Sequence, residues 1–262
     1  MDFLTEIIAK KRGRLEQAKA ARPLEALRVQ AFDVRRDADS HAFSAALKRK
    51  DRINVIAEFK RASPSKGTIS ATADPAHTAR EYEAGGAAGI SVLTEEDYFQ
   101  GSLEDLRAAR AATRLPLLRK DFIFDEYQLY EAATAGADAL LLIVAALDDR
   151  TITSLRHITE DELGMDALTE VHTRDELRRA RECGATFIGV NNRDLHSFNV
   201  SLDVSIELIK DAPQHMTFIS ESGLREAKDL HRLRALGFQG FLIGESLMRT
   251  REPEQTLRAL IS

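Results

Sequence analysis

Apolar positions along the chain follow two alternating periods. From residue 53 onward, runs of four to seven mostly apolar residues alternate with longer segments whose apolar positions recur at helical spacing. The runs lie at 53–59, 89–93, 115–119, 138–144, 166–170, 186–191, 216–220 and 240–243. Helical patterns follow them at about 75–84, 102–112, 125–135, 148–162, 174–183, 203–210, 225–236 and 253–261. Four times a helix-like segment ends in Gly and an apolar run begins at once: EAGGAAGISVLTE (83–95), TAGADALLLIV (134–144), ECGATFIGVNN (182–192) and LGFQGFLIGES (236–246). Such a Gly suits a left-handed helix C-cap. Helix starts are marked too, by Asp74-Pro75 and by the capping boxes Ser102-x-x-Asp105 and Thr173-x-x-Glu176.

Eight β-then-α units predict an α/β fold, a (β/α)8 TIM barrel over residues 51–262. A doubly wound open sheet is the competing architecture. The count of eight, with no G-x-G-x-x-G after any strand, favours the closed barrel. Residues 1–50 hold no strand pattern and read as a helical extension of the same domain, capping the barrel's base or folding over its mouth. The extension opens with Phe3, Leu4, Ile7 and Ile8 at helical spacing, an amphipathic helix for a protein surface. A membrane-surface helix is the minority alternative, because Glu6 and Glu16 interrupt the basic residues.

Composition narrows the function classes. The 262 residues are 44% hydrophobic and 30% charged, with a net charge of −5 and acids and bases interspersed, which disfavours broad nucleic-acid binding. The longest apolar run, 137–147, is too short to span a membrane, and the first residues carry no signal-peptide core. Cys183 is the only cysteine, so no internal disulfide forms and a reducing, cytoplasmic compartment fits best.

Chemistry concentrates at the strand ends, where barrels of this kind place their sites. The stretch IAEFKRASPSKG (56–67) carries Glu58 and Lys60 two residues apart, hence on one face of an extended chain. Charges at the end of a buried strand are costly unless paired or working; a purely structural ion pair would look the same. Later strands end in Thr94-Glu95, Arg119-Lys120-Asp121, Glu170, Asn191-Asn192-Arg193, Ser220-Glu221-Ser222-Gly223 and Gly244-Glu245. So many ionisable positions at one rim point to a polar reaction site. Ser222-Gly223 and Gly244-Glu245 fall where barrels commonly bind phosphate, with residues 245–250 as a short extra helix, although turn glycines occur in every barrel. His172, His196 and His215 lack metal-cluster spacing, and His172 reads as a structural hydrogen-bonder. Cys183 reads as inert, and S-E-S-G is not a serine-hydrolase elbow. Without a nucleotide fingerprint or a metal set, side chains alone are expected to do the chemistry, with no cofactor and no metal.

These strand ends, in this order, resemble the indole-3-glycerol phosphate synthase family of tryptophan biosynthesis. The resemblance runs over nearly the whole chain, through IAEFKRASPSKG (56–67), SVLTE and YFQGS (91–95, 98–102), LLRKDFIFDEYQ (117–128), EVH (170–172), GVNNRDL (189–195), ISESG (219–223) and IGESLM (243–248). Thr169 departs from the pattern, which usually has an apolar residue there; Glu245 stands where some members have serine. The resemblance implies a carboxy-lyase that closes the ring of 1-(2-carboxyphenylamino)-1-deoxyribulose 5-phosphate, losing carbon dioxide and water. It implies Lys120 as general acid, Glu170 as proton carrier, and Glu58 with Lys60 as a second pair. Asn191 and Arg193 would hold polar groups, Glu221 would orient a lysine, and Phe99 and Phe122 would wall the aromatic ring. Ser63 and Pro64 would start a closing loop. Lys60, Ser222, Gly223, Gly244 and Glu245 would hold the phosphate. The implied partner is a phosphorylated small molecule, neither nucleic acid nor membrane, met by a monomer or weak homodimer.

Overall fold

The computed structural model describes residues 3–213 and 215–262. Eight parallel strands close a barrel: β1 Val55–Phe59, β2 Gly89–Leu93, β3 Leu117–Lys120, β4 Ala139–Ile143, β5 Asp166–Val171, β6 Phe187–Asn191, β7 Thr217–Glu221 and β8 Gly240–Ile243. Each pairs with its neighbours in sequence, and β1 closes on β8. Nearly every strand residue is buried, because helices cover the outer face and side chains fill the interior. That burial on both faces explains why the runs read as continuously apolar.

Three helices precede the barrel: α1 Phe3–Ala21, α2 Leu24–Arg35 and α3 Ala42–Ala46. The outer layer and its short additions are α4 Pro75–Ala84, α5 Leu103–Ala112, α6 Glu126–Thr134, α7 Asp149–His157, α8 Arg174–Glu182, α9 Asp203–Leu208, α10 Ala227–Leu236, α11 Glu245–Arg249 and α12 Pro253–Ile261. The four helix-ending glycines, Gly86, Gly136, Gly184 and Gly237, all adopt the left-handed conformation. The helix expected over 148–162 is shorter. It ends at His157 and continues as one π turn, Ile158–Glu162, where Thr159 Oγ1 bonds back to the Leu155 carbonyl and the Leu163 N–H reaches Ile158. Both anticipated capping boxes are half built. Ser102 and Thr173 accept the expected amide protons, but the carboxylates of Asp105 and Glu176 are engaged elsewhere, by Arg61 and by His172.

The extension reaches both ends of the barrel. Helix α1 lies over the mouth: Lys11 pairs with buried Asp121 at 2.6 Å, and Arg14 pairs with Glu96 and Asp97. Helix α2 packs on α6. Helix α3 closes the base with Phe43, fully buried near Gly89 and the Phe187 ring. Among the described residues, no helix is long and apolar enough to cross a membrane.

Candidate active site

Strand alternation sorts the polar strand ends into two sets. Glu58, Lys120, Glu170, Asn191 and Glu221 share the inward parity of the residues that fill the barrel, such as Ile56, Leu118, Leu168 and Ile219. Arg119, Thr169 and Ser220 share the outward parity and lie under the helices. Apart from Thr169, whose hydroxyl has only the Ala167 carbonyl at 3.5 Å, the outward set is satisfied internally. Arg119 donates to the Gln128 carbonyl and to Asp121, and Thr94 Oγ1 donates to Asp121. Asn192 donates to Ser220 Oγ and the Glu221 carbonyl. Glu95 accepts the amide protons of Asp97, Tyr98 and Phe99. The crowded polar rim is therefore a site on one face and loop scaffolding on the other.

Every candidate named from the sequence, from Glu58 to Glu245, lines one cavity of about 660 Å³ at the strand C-termini. At its centre Lys120 Nζ lies 2.7 Å from Glu170 Oε2 and 2.9 Å from Glu221 Oε2. Nearby, Lys60 Nζ donates to Glu58 Oε1 at 2.6 Å. Burial disfavours the Lys120 ammonium, but Glu170, Glu221 and Glu58 outweigh it and hold its pKa above the ordinary lysine value. Burial likewise opposes the Glu170 charge, and Lys120 with His172 reverses the effect and holds this carboxyl below its ordinary range. For Glu221 burial prevails: opposed by Lys120 and reinforced by Glu170, it pushes the carboxyl up to about 7. Two carboxylates on one ammonium thus differ, one held ionised and the other held toward its protonated form. Such a pair can accept and supply protons side by side.

Two glycines make room for this cluster. A Cβ on Gly244 would lie 2.4 Å from Glu58 Oε1, and one on Gly189 would lie 2.1 Å from Glu221 Oε1. Gly189 does not stand out in the sequence, because nothing local shows that a carboxylate from the next strand needs its space.

The cavity has a polar end and an apolar one. Ser222, a non-glycine residue with φ of 65°, precedes Gly223 at φ 80°, a strained turn between β7 and α10. Glu245 opens α11, with its carboxylate 3.2 Å from Arg249 Nε and 3.9 Å from Lys66 Nζ. The Arg193 N–H donates to Asn191 Oδ1, and its guanidinium donates to the Phe198 carbonyl and Ser65 Oγ, tying two loops together. Opposite, the Phe99 and Phe122 rings stand 6.3 Å apart. Phe3 and Leu4 of α1 also line the cavity. Their amphipathic helix is legible in sequence, and docking at the mouth is one of the two placements expected for the extension.

An acid–base cluster inside the mouth of a (β/α)8 barrel, flanked by glycine loops on β7 and β8, defines a class of enzymes acting on small anionic substrates. Comparison with known proteins narrows it. The family model described as indole-3-glycerol phosphate synthase matches residues 4–260, and the chain belongs to that family. It is 43% identical to the indole-3-glycerol phosphate synthase of Carboxydothermus hydrogenoformans, over 99% of this chain and 100% of that one. It is 50% identical to the Koribacter versatilis protein of the same name over 80% of each chain. Among solved structures, the thiamine phosphate pyrophosphorylase from Pyrococcus furiosus shares the barrel alone, with a TM-score of 0.59, 15% identity, and coverage of 79% of this chain and 93% of that one.

Proposed function

We propose that this chain is a carboxy-lyase that closes the indole ring of 1-(2-carboxyphenylamino)-1-deoxyribulose 5-phosphate, giving indole-3-glycerol phosphate, carbon dioxide and water. Family membership over nearly the full length supports the reaction. The observation that carries the residue roles is Lys120 held between Glu170 and Glu221 in a cavity with one apolar and one anion-receptive end. The phosphate lies at the Ser222-Gly223 and Gly244-Glu245 turns, beside Lys60, where the glycines let backbone come close to an anion. The anthranilate ring lies against Phe99 and Phe122, beneath the Ser63-Pro64 loop. Asn191 and Arg193 hold polar groups between these two ends.

The ring carbon that bears the carboxylate attacks the ketone carbon, and Lys120 donates a proton to the ketone oxygen as the new bond forms. The carbon–carboxylate bond then breaks, returning its electron pair to the ring and releasing carbon dioxide. The hydroxyl leaves as water with a proton from an acid, while a base takes a proton from the ring methylene carbon beside the nitrogen, so that the indole double bond forms and the N–H is retained. Glu170 is the proton carrier here, with Glu58 and Lys60 as the second pair. Glu221 orients Lys120 and, its carboxyl pushed up by burial, restores its proton. A monomer or weak homodimer completes this reading, and a reducing cytoplasm suits the lone free Cys183. Indole fluorescence appearing from the carboxyphenylamino substrate tests the reading; no turnover by folded, ligand-binding protein overturns it.

A further inference from the structure

Behind the cavity wall, a second row of charges touches the first. His172 follows β5 and does not line the cavity. Its Nε2 lies 3.3 Å from Glu170 Oε1, the oxygen that Lys120 leaves free, an ion-pair contact without hydrogen-bond alignment. Its Nδ1 lies 3.0 Å from Glu176 Oε2, which also accepts the His172 backbone N–H at 2.8 Å. Glu176 occupies the third helical position of α8, where a capping box would turn its carboxylate back to Thr173. It reaches one residue further and holds the imidazole instead. The His172 side chain is 10% exposed and Glu170 is 2% exposed, so their contact is sheltered from solvent.

We infer that His172 is a positioning residue for Glu170: an imidazolium seated between two carboxylates, it fixes one Glu170 oxygen while Lys120 fixes the other. The inference rests on the role proposed above for Glu170. A carboxylate held at both oxygens keeps one orientation while Lys120 moves toward the substrate, and the second cation keeps it ionised once Lys120 has given up its proton. A neutral imidazole would orient without holding charge. The charged groups that face His172 are Glu170 on its own strand and Glu176 on α8, with Lys120 and Glu221 beyond Glu170. Burial works against the His172 proton, but the two carboxylates outweigh it and push its pKa up to about 10.

Two measurements on the full chain test this. In nitrogen-15 NMR of histidine-labelled protein, His172 should carry protons on both ring nitrogens at pH 8, and its titration step should fall by about one pH unit in Glu170→Gln. A neutral His172 ring at pH 7 overturns the inference, whether or not the protein turns over substrate. In kinetics, His172→Gln should lower kcat about tenfold at pH 7 with KM little changed, move the acid limb of the profile about one unit upward, and add no further loss in a Glu170→Gln background. Glu176→Gln, outside the cavity, should lower the His172 titration step in the same NMR experiment, and it serves if His172→Gln fails to fold. A loss equal at every pH, with the limb unmoved, overturns the inference and leaves only a structural histidine. Full activity in Glu170→Gln would instead remove the role proposed for Glu170.

Discussion

The two ends of the barrel are both rich in buried polar groups, yet those groups are bonded to different things. At the base, Arg35 donates to the carbonyls of Leu163, Gly164 and Asp39 and to Asp138. Asn54 donates to the carbonyls of Leu47, Arg49 and Gln239, and Asp166 accepts the Ser44 N–H. Each of these groups ties down backbone. At the mouth, Lys120, Glu170, Glu221, Glu58 and Lys60 bond mainly to one another, and Glu221 Oε1 is buried with no hydrogen-bond partner. Groups committed to backbone cannot leave it without loosening the fold. Groups that satisfy one another can exchange partners for a substrate. What a buried charge is bonded to, more than how many charges there are, separates a site from a scaffold.

The sharpest way to break this contrast is to remove one cation from each end. Lys120→Ala should lower kcat by about 10³-fold, within the usual range for a general acid, while the melting temperature stays within a few degrees of wild type. The stability holds because burial pushes the Glu221 carboxyl toward its neutral form, so it can take up a proton once the ammonium is gone. Near-normal turnover would remove Lys120 from the chemistry. A collapse in melting temperature would make the mouth a scaffold like the base. Arg35→Met should do the reverse. It strips a guanidinium only 7% exposed from its carbonyls and from Asp138, so unfolding should become easier by about 3 kcal/mol, with kcat unchanged. A stable Arg35→Met protein with impaired turnover would dissolve the distinction.

A smaller effect is expected where the two kinds of bonding meet. Gly244→Ala keeps the backbone within reach of an ordinary residue, but the new methyl would intrude on the Glu58 carboxylate. Glu58 must swing off Lys60, and kcat should fall about tenfold, with a smaller loss in melting temperature. Unchanged kinetics would mean that the Glu58–Lys60 pair is not held for catalysis.

Much of this was legible in the sequence, and for identifiable reasons. Strand runs, helix stops at Gly86, Gly136, Gly184 and Gly237, and the inward parity of Glu58, Lys120, Glu170 and Glu221 are local features, written in period and spacing. Features that depend on a neighbour distant in sequence were not legible. Gly189 clears space for a residue 32 positions later, and the extension, expected at the base or the mouth, reaches both, with α1 at the mouth and α3 at the base. Arg119 and Lys120 show how fine the line is. They are adjacent and both cationic, and a single step along β3 sends one under the helices and the other into the cavity.

Thr169, one step before Glu170, puts that alternation to its mildest test. The side chain is fully buried on the outer face, and its hydroxyl has one distant partner, the Ala167 carbonyl at 3.5 Å. A hydroxyl so poorly satisfied gains little from its bond and loses its hydration. Thr169→Val keeps the shape and removes that loss, so stability should rise by about 0.5–1 kcal/mol, read as a melting temperature higher by about 2 °C. Turnover and its pH profile should not move, because Glu170 points the other way along the same strand. A changed kcat would mean that the outer face reaches the chemistry after all, and a lower melting temperature would mean that the hydroxyl has a better partner than Ala167.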